Sequence, residues 1–508
     1  MERQQQPLLR DNEGKDDTWV DVHYTKIAGF SSESIRVYVR EEAHEMWVKM
    51  ETLITSSSLS VSGPPGTGKS TEAWAWALWK AQQSKVDIIW YHMTKEAIIK
   101  VIVSGTTNTM VRYTIDCAFI NVDINEAGGQ YMIFDGITKD MYTSVHSSMN
   151  VWRNNVDNRE FISVSSQAVK VALQEMQEAR MQIFKMPSWS FIQLDKACVD
   201  DILFTMVRNN LKCPGQSDAL DDTGDSKAEL LRGKFFYAGG STRWMFGFSF
   251  DEFTNDFNTH WLAVCSYETF FNDQGPASYN AVNHLRAMVK NEKDEEAYFF
   301  ASKFVIQKFL DTSKGAELNF FQLAYTKAET SHNPAFRGWV YEFDVDYQLS
   351  KSLANRIPLE VICQVGDKNT KEFWSVPKYV TYANQEELFF HLNQSDEEFW
   401  AKPALWKANA IDFFHFTVKE KERHLDATNA THGLTHNVKL HFIYNLCKTF
   451  MQKNLPISTI RYVFIVPSIA GFTVGGITGH LNDWRWAQTK QDMISNGNIV
   501  IAQLNKAI

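Results

Sequence analysis

No stretch of about 18 consecutive apolar residues occurs in the 508-residue chain, so no segment is long and apolar enough to cross a bilayer as a helix. The expectation is therefore a protein without membrane insertion. The opening residues, MERQQQPLLRDNEGKDD, are polar and charged and contain no apolar core, so no secretory signal peptide is visible. Cysteine is scarce: six residues, at 117, 198, 213, 265, 363 and 447, none in C-x-x-C spacing. Scattered thiols argue against a disulfide scaffold or a Cys-rich zinc site, and for a reducing, intracellular compartment. A basic excess is missing too. The chain carries −9 overall, and residues 331–508 hold 18 Lys+Arg against 17 Asp+Glu, which puts the acidic excess in the first 330 residues. Charge alone gives no nucleic-acid footprint. No internal repeat is visible.

Aromatic residues, by contrast, make up 13% of the chain, which implies large packed cores rather than disorder. The length exceeds one ordinary core, so several domains are expected.

The most specific segment is Gly63-Pro64-Pro65-Gly66-Thr67-Gly68-Lys69-Ser70, which is G-x-x-x-x-G-K-[ST]. Glycines let a backbone turn tightly and aim several amides at one anion. Lys69 is placed to reach the β- and γ-phosphates of a nucleoside triphosphate, and the Ser70 hydroxyl to join a Mg²⁺ shell. Ser58–Ser62 reads as the strand entering the loop and Thr71–Gln83 as the helix leaving it, so the phosphates would sit at a helix N-terminus. The nucleotide-binding set is Gly63 to Thr71 with ATP (or GTP) and Mg²⁺ as cofactors.

A second carboxylate should hold Mg²⁺ from the end of a buried strand. Asp135, closing Gln130–Phe134, is the leading candidate; Asp123, closing a strand expected over Cys117–Val122, is the competitor. Position 136 is Gly, where an acid that polarises the attacking water is usual, and this points to slow hydrolysis. Ser166, after the strand Glu160–Ser165, is placed to sense the γ-phosphate or to cap a helix. Arg243, in Gly239-Gly240-Ser241-Thr242-Arg243, is suited either to a phosphoryl transition state or to a surface ion pair.

Along the chain, residues 36–55 read as a helix and Val86–Tyr91 as a strand. Residues 168–185 and 194–211 look helical, and 250–330 read as a mostly helical lid. The polar stretch 327–338 marks a domain boundary. The expected fold is thus α/β: an N-terminal extension (1–35), a P-loop NTPase module with a parallel sheet and helical lid (36–330), and a second α/β domain (331–508). His424, His432, His436 and His441 crowd together, and His432/His436 have the spacing of helical zinc ligands. No partner ligand has matching spacing, so scattered histidines near a helix start are the simpler reading.

Several landmarks occur in one order: RVYVRE (36–41), the glycine-rich loop, MPSWS (186–190), YAGGSTRWMFG (237–247), GWVYE (338–342), NAIDFF (409–414), HFTVKEKERH (415–424) and RYVFIVP (461–467). Over residues 36–470 the chain resembles the Crinkler family of secreted effectors, related to the retrotransposon hot spot proteins. The resemblance implies a P-loop NTPase fused to a restriction-endonuclease-like domain of PD-(D/E)XK type. It also implies secretion into a host cell and its nucleus, with DNA and host nuclear proteins as partners. On this resemblance Glu342, Asp412, His415 and Lys419 fall at the nuclease-like catalytic positions, with Asp412 also a metal ligand. Asp412 precedes His415 by three residues, which leaves no room for a turn. On one extended strand the two point to opposite faces. An inert interaction domain is the alternative. Lys402, Lys407, Lys419, Lys421 and Arg423 are the candidate phosphate contacts.

Overall fold

The computed structural model describes residues 18–504 apart from 31, 53–57, 95–96, 108, 138, 157, 166–179, 215–223, 265–278, 291–295, 313–320, 322, 327–333, 367, 383–384, 395–396, 404–410, 420–421, 440–451, 454–456 and 479–497. The chain divides into two compact units between Ile306 and Gln307, ahead of the boundary expected at 330. Both units are α/β, with sheets that contain parallel strands.

The first unit begins with the antiparallel pair β1 (Thr18–His23) and β2 (Ser34–Val39), followed by helix α1 (Glu41–Glu51). The helix expected from residue 36 therefore starts later. RVYV alternates β-branched and aromatic residues, which suits a pleated strand. Then come β3 (Ser58–Ser62), α2 (Lys69–Ser84), β4 (Asp87–Met93), β5 (Ile98–Ser104), β6 (Thr109–Ile115), α3 (Ile120–Glu126), β7 (Tyr131–Ile137), α4 (Lys139–Asn155), β8 (Glu160–Ser165) and β9 (Met181–Lys185). The sheet order is β6-β5-β4-β7-β8-β3-β9. The five strands from β4 to β9 in that order run parallel, and β5 and β6 extend the sheet antiparallel.

Both faces of this sheet are covered, which explains the continuous apolar runs of its central strands. Ile88, Trp90, Tyr131 and Ile133 join Trp74, Trp76 and Ala77 of α2 and Met46 and Trp47 of α1 on one face. Ile89, Tyr91, Met132 and Phe134 join Ile120 and Ile124 of α3 and Val145, Met149 and Trp152 of α4 on the other. Ala and Leu give α2 its helical bias, and two of its three indoles, Trp74 and Trp76, are fully buried against the sheet.

Three expectations change here. Cys117–Val122 is not a strand: the Asp116 carboxylate accepts from Ala118 N at 2.9 Å and opens a 3-10 turn that runs into α3. A short apolar run does not by itself distinguish helix from strand. Asp123 consequently lies on α3, where it pairs with Lys100 Nζ at 2.7 Å and accepts from Tyr91 Oη at 2.6 Å. In the segment 168–185, residues 181–185 are strand β9, while 168–179 lie outside the described residues. Beyond β9, helices Phe191–Ala197, Asp201–Leu211, Gly224–Ala238 and Phe250–Leu262 and a π-helical turn, Arg243–Gly247, precede a short helix, Tyr279–His284. The expected lid is not wholly helical, because β10 (Arg286–Lys290) and β11 (Glu296–Phe300) form an antiparallel hairpin.

The second unit carries helix Pro334–Asn355, β12 (Leu359–Val365), β13 (Lys368–Trp374), β14 (Tyr379–Tyr382), helix Gln385–Gln394, β15 (Phe399–Pro403), β16 (Phe413–Lys419), β17 (Glu422–Ala430), β18 (Thr435–Lys439), β19 (Thr459–Val466), β20 (Thr473–Thr478) and β21 (Ile499–Leu504). Eight strands form one sheet in the order β13-β12-β21-β19-β17-β16-β15-β14. Its β15-β16-β17 meander is antiparallel, and β19 lies parallel to β17. Tyr341, Val345 and Leu349 of the long helix cover one face with Trp374, Trp400 and Phe413. Leu388, Phe389 and Leu392 cover the other with Phe414, Phe416 and Phe464. Residues 435–439 form a strand paired to β20, so His436 does not sit one helical turn from His432. His441 lies outside the described residues.

Candidate functional site

Strand β3, buried along its whole length, delivers the chain into the 63–70 loop, and α2 begins at Lys69. Gly66 has φ +75°, and a Cβ there would stand 2.1 Å from Ser241 Oγ, so only glycine fits this approach. The loop's carbonyls are held by distant side chains. Thr242 donates to Gly66 O through both its amide (2.8 Å) and its hydroxyl (2.7 Å). Arg40 Nη2 and Trp189 Nε1 both donate to Thr67 O, at 3.1 and 3.2 Å. A trans peptide points its carbonyl and amide in opposite directions. The Thr67 and Gly68 amides therefore turn away from these anchors. Arg40 also donates to Pro187 O at 2.6 Å and lies 4.9 Å from the Trp189 ring centre. Arg40, Trp189 and Thr242 come from three of the sequence landmarks, and all three meet at one loop.

Lys69 is buried within this loop. Its Nζ donates to Pro64 O (2.7 Å), Gly63 O (3.0 Å) and Thr67 Oγ1 (3.2 Å). Burial pushes its pKa down to about 7; Asp135 opposes the shift, and Arg243 and Arg40 add to it. Ser70 Oγ donates to Asp135 Oδ1 at 2.5 Å. Asp135 is 1% exposed and reaches Ser70 although β8 separates its strand from β3. Its other oxygen, Oδ2, stands 2.7 Å from His92 Nδ1, on the neighbouring strand β4 in register with it. Gly136 has φ +78°, and a Cβ would meet Met93 O at 2.9 Å, so the backbone itself resists a side chain there.

Of the sequence candidates, the loop, Lys69, Ser70 and Asp135 are brought together. Thr71 follows in the first turn of α2. Arg243 is exposed, with its backbone against Gly66. Ser166 lies outside the described residues, just after the buried Ser165. Sequence reasoning missed Arg40, His92 and Glu72. Glu72, one turn into α2, is buried and pushed up to about 8 by that burial, with Arg40 opposing. The available signal for His92 was a histidine closing an otherwise apolar strand.

A second cluster lies in the same unit. Trp244 Nε1 donates to Asp256 Oδ2 at 2.7 Å. Asp256 pairs with His260 Nε2 at 3.6 Å, and the His260 ring stacks on His284 with centroids 3.7 Å apart. Burial drives the His284 pKa down to about 3; His260, Arg243 and Lys69 push the same way and Asp256 opposes.

In the second unit the four nuclease-position residues are dispersed. Glu342 lies on helix Pro334–Asn355, and Lys419 ends β16, exposed. Asp412 accepts from Ala430 N at 2.8 Å and adds to the burial that raises the phenol pKa of Tyr382 and Tyr462. His415 belongs to the opposite face of β16. It stacks on Trp400 at 4.3 Å, with Nε2 2.7 Å from Glu398 Oε1 and Nδ1 3.4 Å from Asp426 Oδ2. Arg461 grips both Asp426 oxygens at 2.6 Å. Lys402 pairs with Asp346 at 2.5 Å, which neutralises one candidate phosphate contact. Lys407 and Lys421 lie outside the described residues, and Arg423 is half-buried, its guanidinium 6.0 Å from the Phe416 ring centre.

Burial alone would lower the His415 pKa, but Asp426 and Glu398 together hold it above its ordinary 6.5. Folding therefore tightens its proton: its stabilising contribution is complete below pH 6.5 and is lost as pH climbs through the folded value. Burial works against the Asp426 charge, but Arg461 and His415 outweigh it and hold the carboxyl at about 2. That contribution is complete above its ordinary 3.8 and is lost as pH falls toward 2. Urea midpoints of the second unit's transition should fall on the alkaline side, and His415→Gln should flatten that fall. An unchanged alkaline slope in the variant would exclude His415 as its source.

The chain matches no protein-family model and no curated protein. Among solved structures it is similar to Caenorhabditis elegans PCH-2, at 9% identity and a TM-score of 0.24, over 53% of this chain and 74% of that one.

Proposed function

We propose that the first unit is a P-loop NTPase module that binds ATP or GTP with Mg²⁺ and turns it over slowly. The carrying observation is the short Ser70–Asp135 contact beside the buried Lys69 amine. Ser70 Oγ and Asp135 Oδ1 are oxygen donors of the kind a hard divalent cation takes, and Gly66 lets the loop close against Ser241, where a Cβ would stand 2.1 Å from its hydroxyl. Mg²⁺ supplies charge neutralisation to the phosphates when bound. Outward amides of Thr67 and Gly68 and the start of α2 receive phosphate oxygens. Lys69 contributes a cation, and His92 orients the carboxylate of Asp135. Arg243 supports charge that develops on the phosphoryl group. Glycine at 136 leaves the attacking water without a carboxylate from that position, hence slow turnover.

The second unit is proposed as a restriction-endonuclease-like module that engages nucleic acid without efficient cleavage. The observation favouring binding over cleavage is that Asp412 serves the Ala430 amide while His415 sits in an ion-pair cluster on the other face. The assignment to a Crinkler-like effector acting in a host nucleus rests on the sequence landmarks.

Lys69→Ala should abolish binding of a fluorescent nucleotide analogue while leaving circular dichroism unchanged. Asp135→Ala should spare binding in EDTA and remove its Mg²⁺ dependence. Undiminished affinity in the Lys69 variant would sink the assignment.

The depressed Lys69 pKa gives a second readout. Phosphates favour the ammonium, so binding takes up a proton once pH exceeds about 7. Affinity should be flat below that value and fall by up to about tenfold per pH unit above it, one proton being 1.36 kcal/mol per unit. A pH-independent affinity across this range would show that Lys69 is already charged.

Plasmid DNA should be retarded by the full chain, less so as salt rises, and should remain un-nicked in Mg²⁺ or Mn²⁺. Nicking that disappears in Asp412→Ala would make the module an active nuclease; no retardation at any salt would redirect it to a protein partner.

A further inference from the structure

The geometry points to a transition-metal site formed by Asp256, His260 and His284, with Zn²⁺ as the representative ion. Ligand atoms of the three residues lie within 4.8 Å of one another. Asp256 and His260 are four residues apart on helix Phe250–Leu262, so both project from one face. His284 comes from the separate helix Tyr279–His284. Two imidazole nitrogens and a carboxylate oxygen form a borderline donor set that suits Zn²⁺, Co²⁺ or Ni²⁺ better than Mg²⁺ or Ca²⁺.

The surroundings have the form of a metal site's outer shell. Trp244 Nε1 holds Asp256 Oδ2 at 2.7 Å, fixing the carboxylate so that Oδ1 faces His260. Trp244 is itself buried against Phe253 and Phe257 of the same helix. The ligands are neither sealed nor fully exposed, so an ion has a way in; the side chains of Asp256 and His260 are 31% and 19% exposed. A tetrahedral ion with bonds of about 2.0–2.1 Å needs ligand atoms about 3.3 Å apart, a contraction that side-chain rotation supplies. Lone pairs lie in the imidazole planes, so the stacked rings must splay to share an ion. That step gives up the stack and gains two coordinate bonds. The positive charges of Lys69 and Arg243 act against a dication here, and the Asp256 carboxylate offsets them. Three protein ligands leave a fourth position for water. The ion would tie helix Phe250–Leu262 to helix Tyr279–His284 beside the turn that carries Arg243 and Trp244. This site stands independently of the nucleotide reading.

Cobalt replaces zinc with a visible spectrum. Purified full-length protein, stripped with a chelator and titrated with Co²⁺, should develop d–d absorption saturating at one ion per chain, and Zn²⁺ should displace it. His260→Ala and His284→Ala should each abolish the signal. Asp256→Asn keeps the volume and an oxygen for Trp244, and should weaken binding without changing the fold by circular dichroism. Trp244→Phe should cost about 10–100-fold in affinity, as the loss of a carboxylate's orienting partner does elsewhere. Absence of one-to-one Co²⁺ binding at tens of micromolar, or an undiminished signal in both histidine variants, would overturn the site.

Discussion

The carbonyl of Thr67 accepts from both Arg40 and Trp189, and the geometry of the loop depends on that double contact. Peptide planarity converts a held carbonyl into an aimed amide. With Gly66 O held in the same way by Thr242, two consecutive peptides lose the freedom that their flanking glycines would otherwise allow. A glycine-rich segment is entropically loose on its own. Here Arg40, 27 positions upstream of Thr67, and Trp189 and Thr242, more than a hundred positions downstream of the carbonyls they hold, remove that looseness. Preorganisation of this kind lowers the ordering cost of binding.

Around the loop, charge is buried in amounts that only mutual compensation allows. Lys69, Arg40, Glu72 and Asp135 are all nearly inaccessible to water. Desolvation pushes Lys69 and Arg40 down and Glu72 up, each toward neutrality. Unlike charges placed nearby limit those shifts, Asp135 for Lys69 and Arg40 for Glu72. Two cations and two carboxylates thus share one buried region, and each charge depends on the others remaining in place.

The second unit uses the same elements to a different end. Glu398, just ahead of β15, His415 on β16, Asp426 on β17 and Arg461 on β19 form alternating charges, closed over by Trp400 and Trp374. Each charge has an opposite neighbour, and the chain of pairs stitches the strand junctions where β17 changes from an antiparallel to a parallel neighbour. Such a cluster commits its titratable groups to one another. Asp412 is taken up likewise, by the Ala430 amide.

Local features were legible in the residues. Gly63 to Ser70, the strand Ser58–Ser62 before it and the Ala-, Leu- and Trp-rich helix after it are written in adjacent positions, where conformational preference acts directly. The apolar runs at β4, β7 and β8, alternating with helical ones, announced an α/β parallel sheet. Helix or strand at Cys117–Val122 was not decidable from that run, because one carboxylate, Asp116, tips it into a turn. Which of Asp123 and Asp135 reaches Ser70 was likewise not legible: Asp135 does so from β7, two places from β3 in the sheet, while Asp123 lies on α3 and pairs with Lys100. Arg40, His92 and the Asp256–His260–His284 group were invisible for the same reason: each acts through partners remote in sequence. The sequence alone determined where the glycine-rich loop between β3 and α2 forms, because its glycines and helix start need only neighbours. Tertiary structure decided which carboxylate, histidine and arginine complete it, because contacts between distant segments are set by how sheets and helices pack.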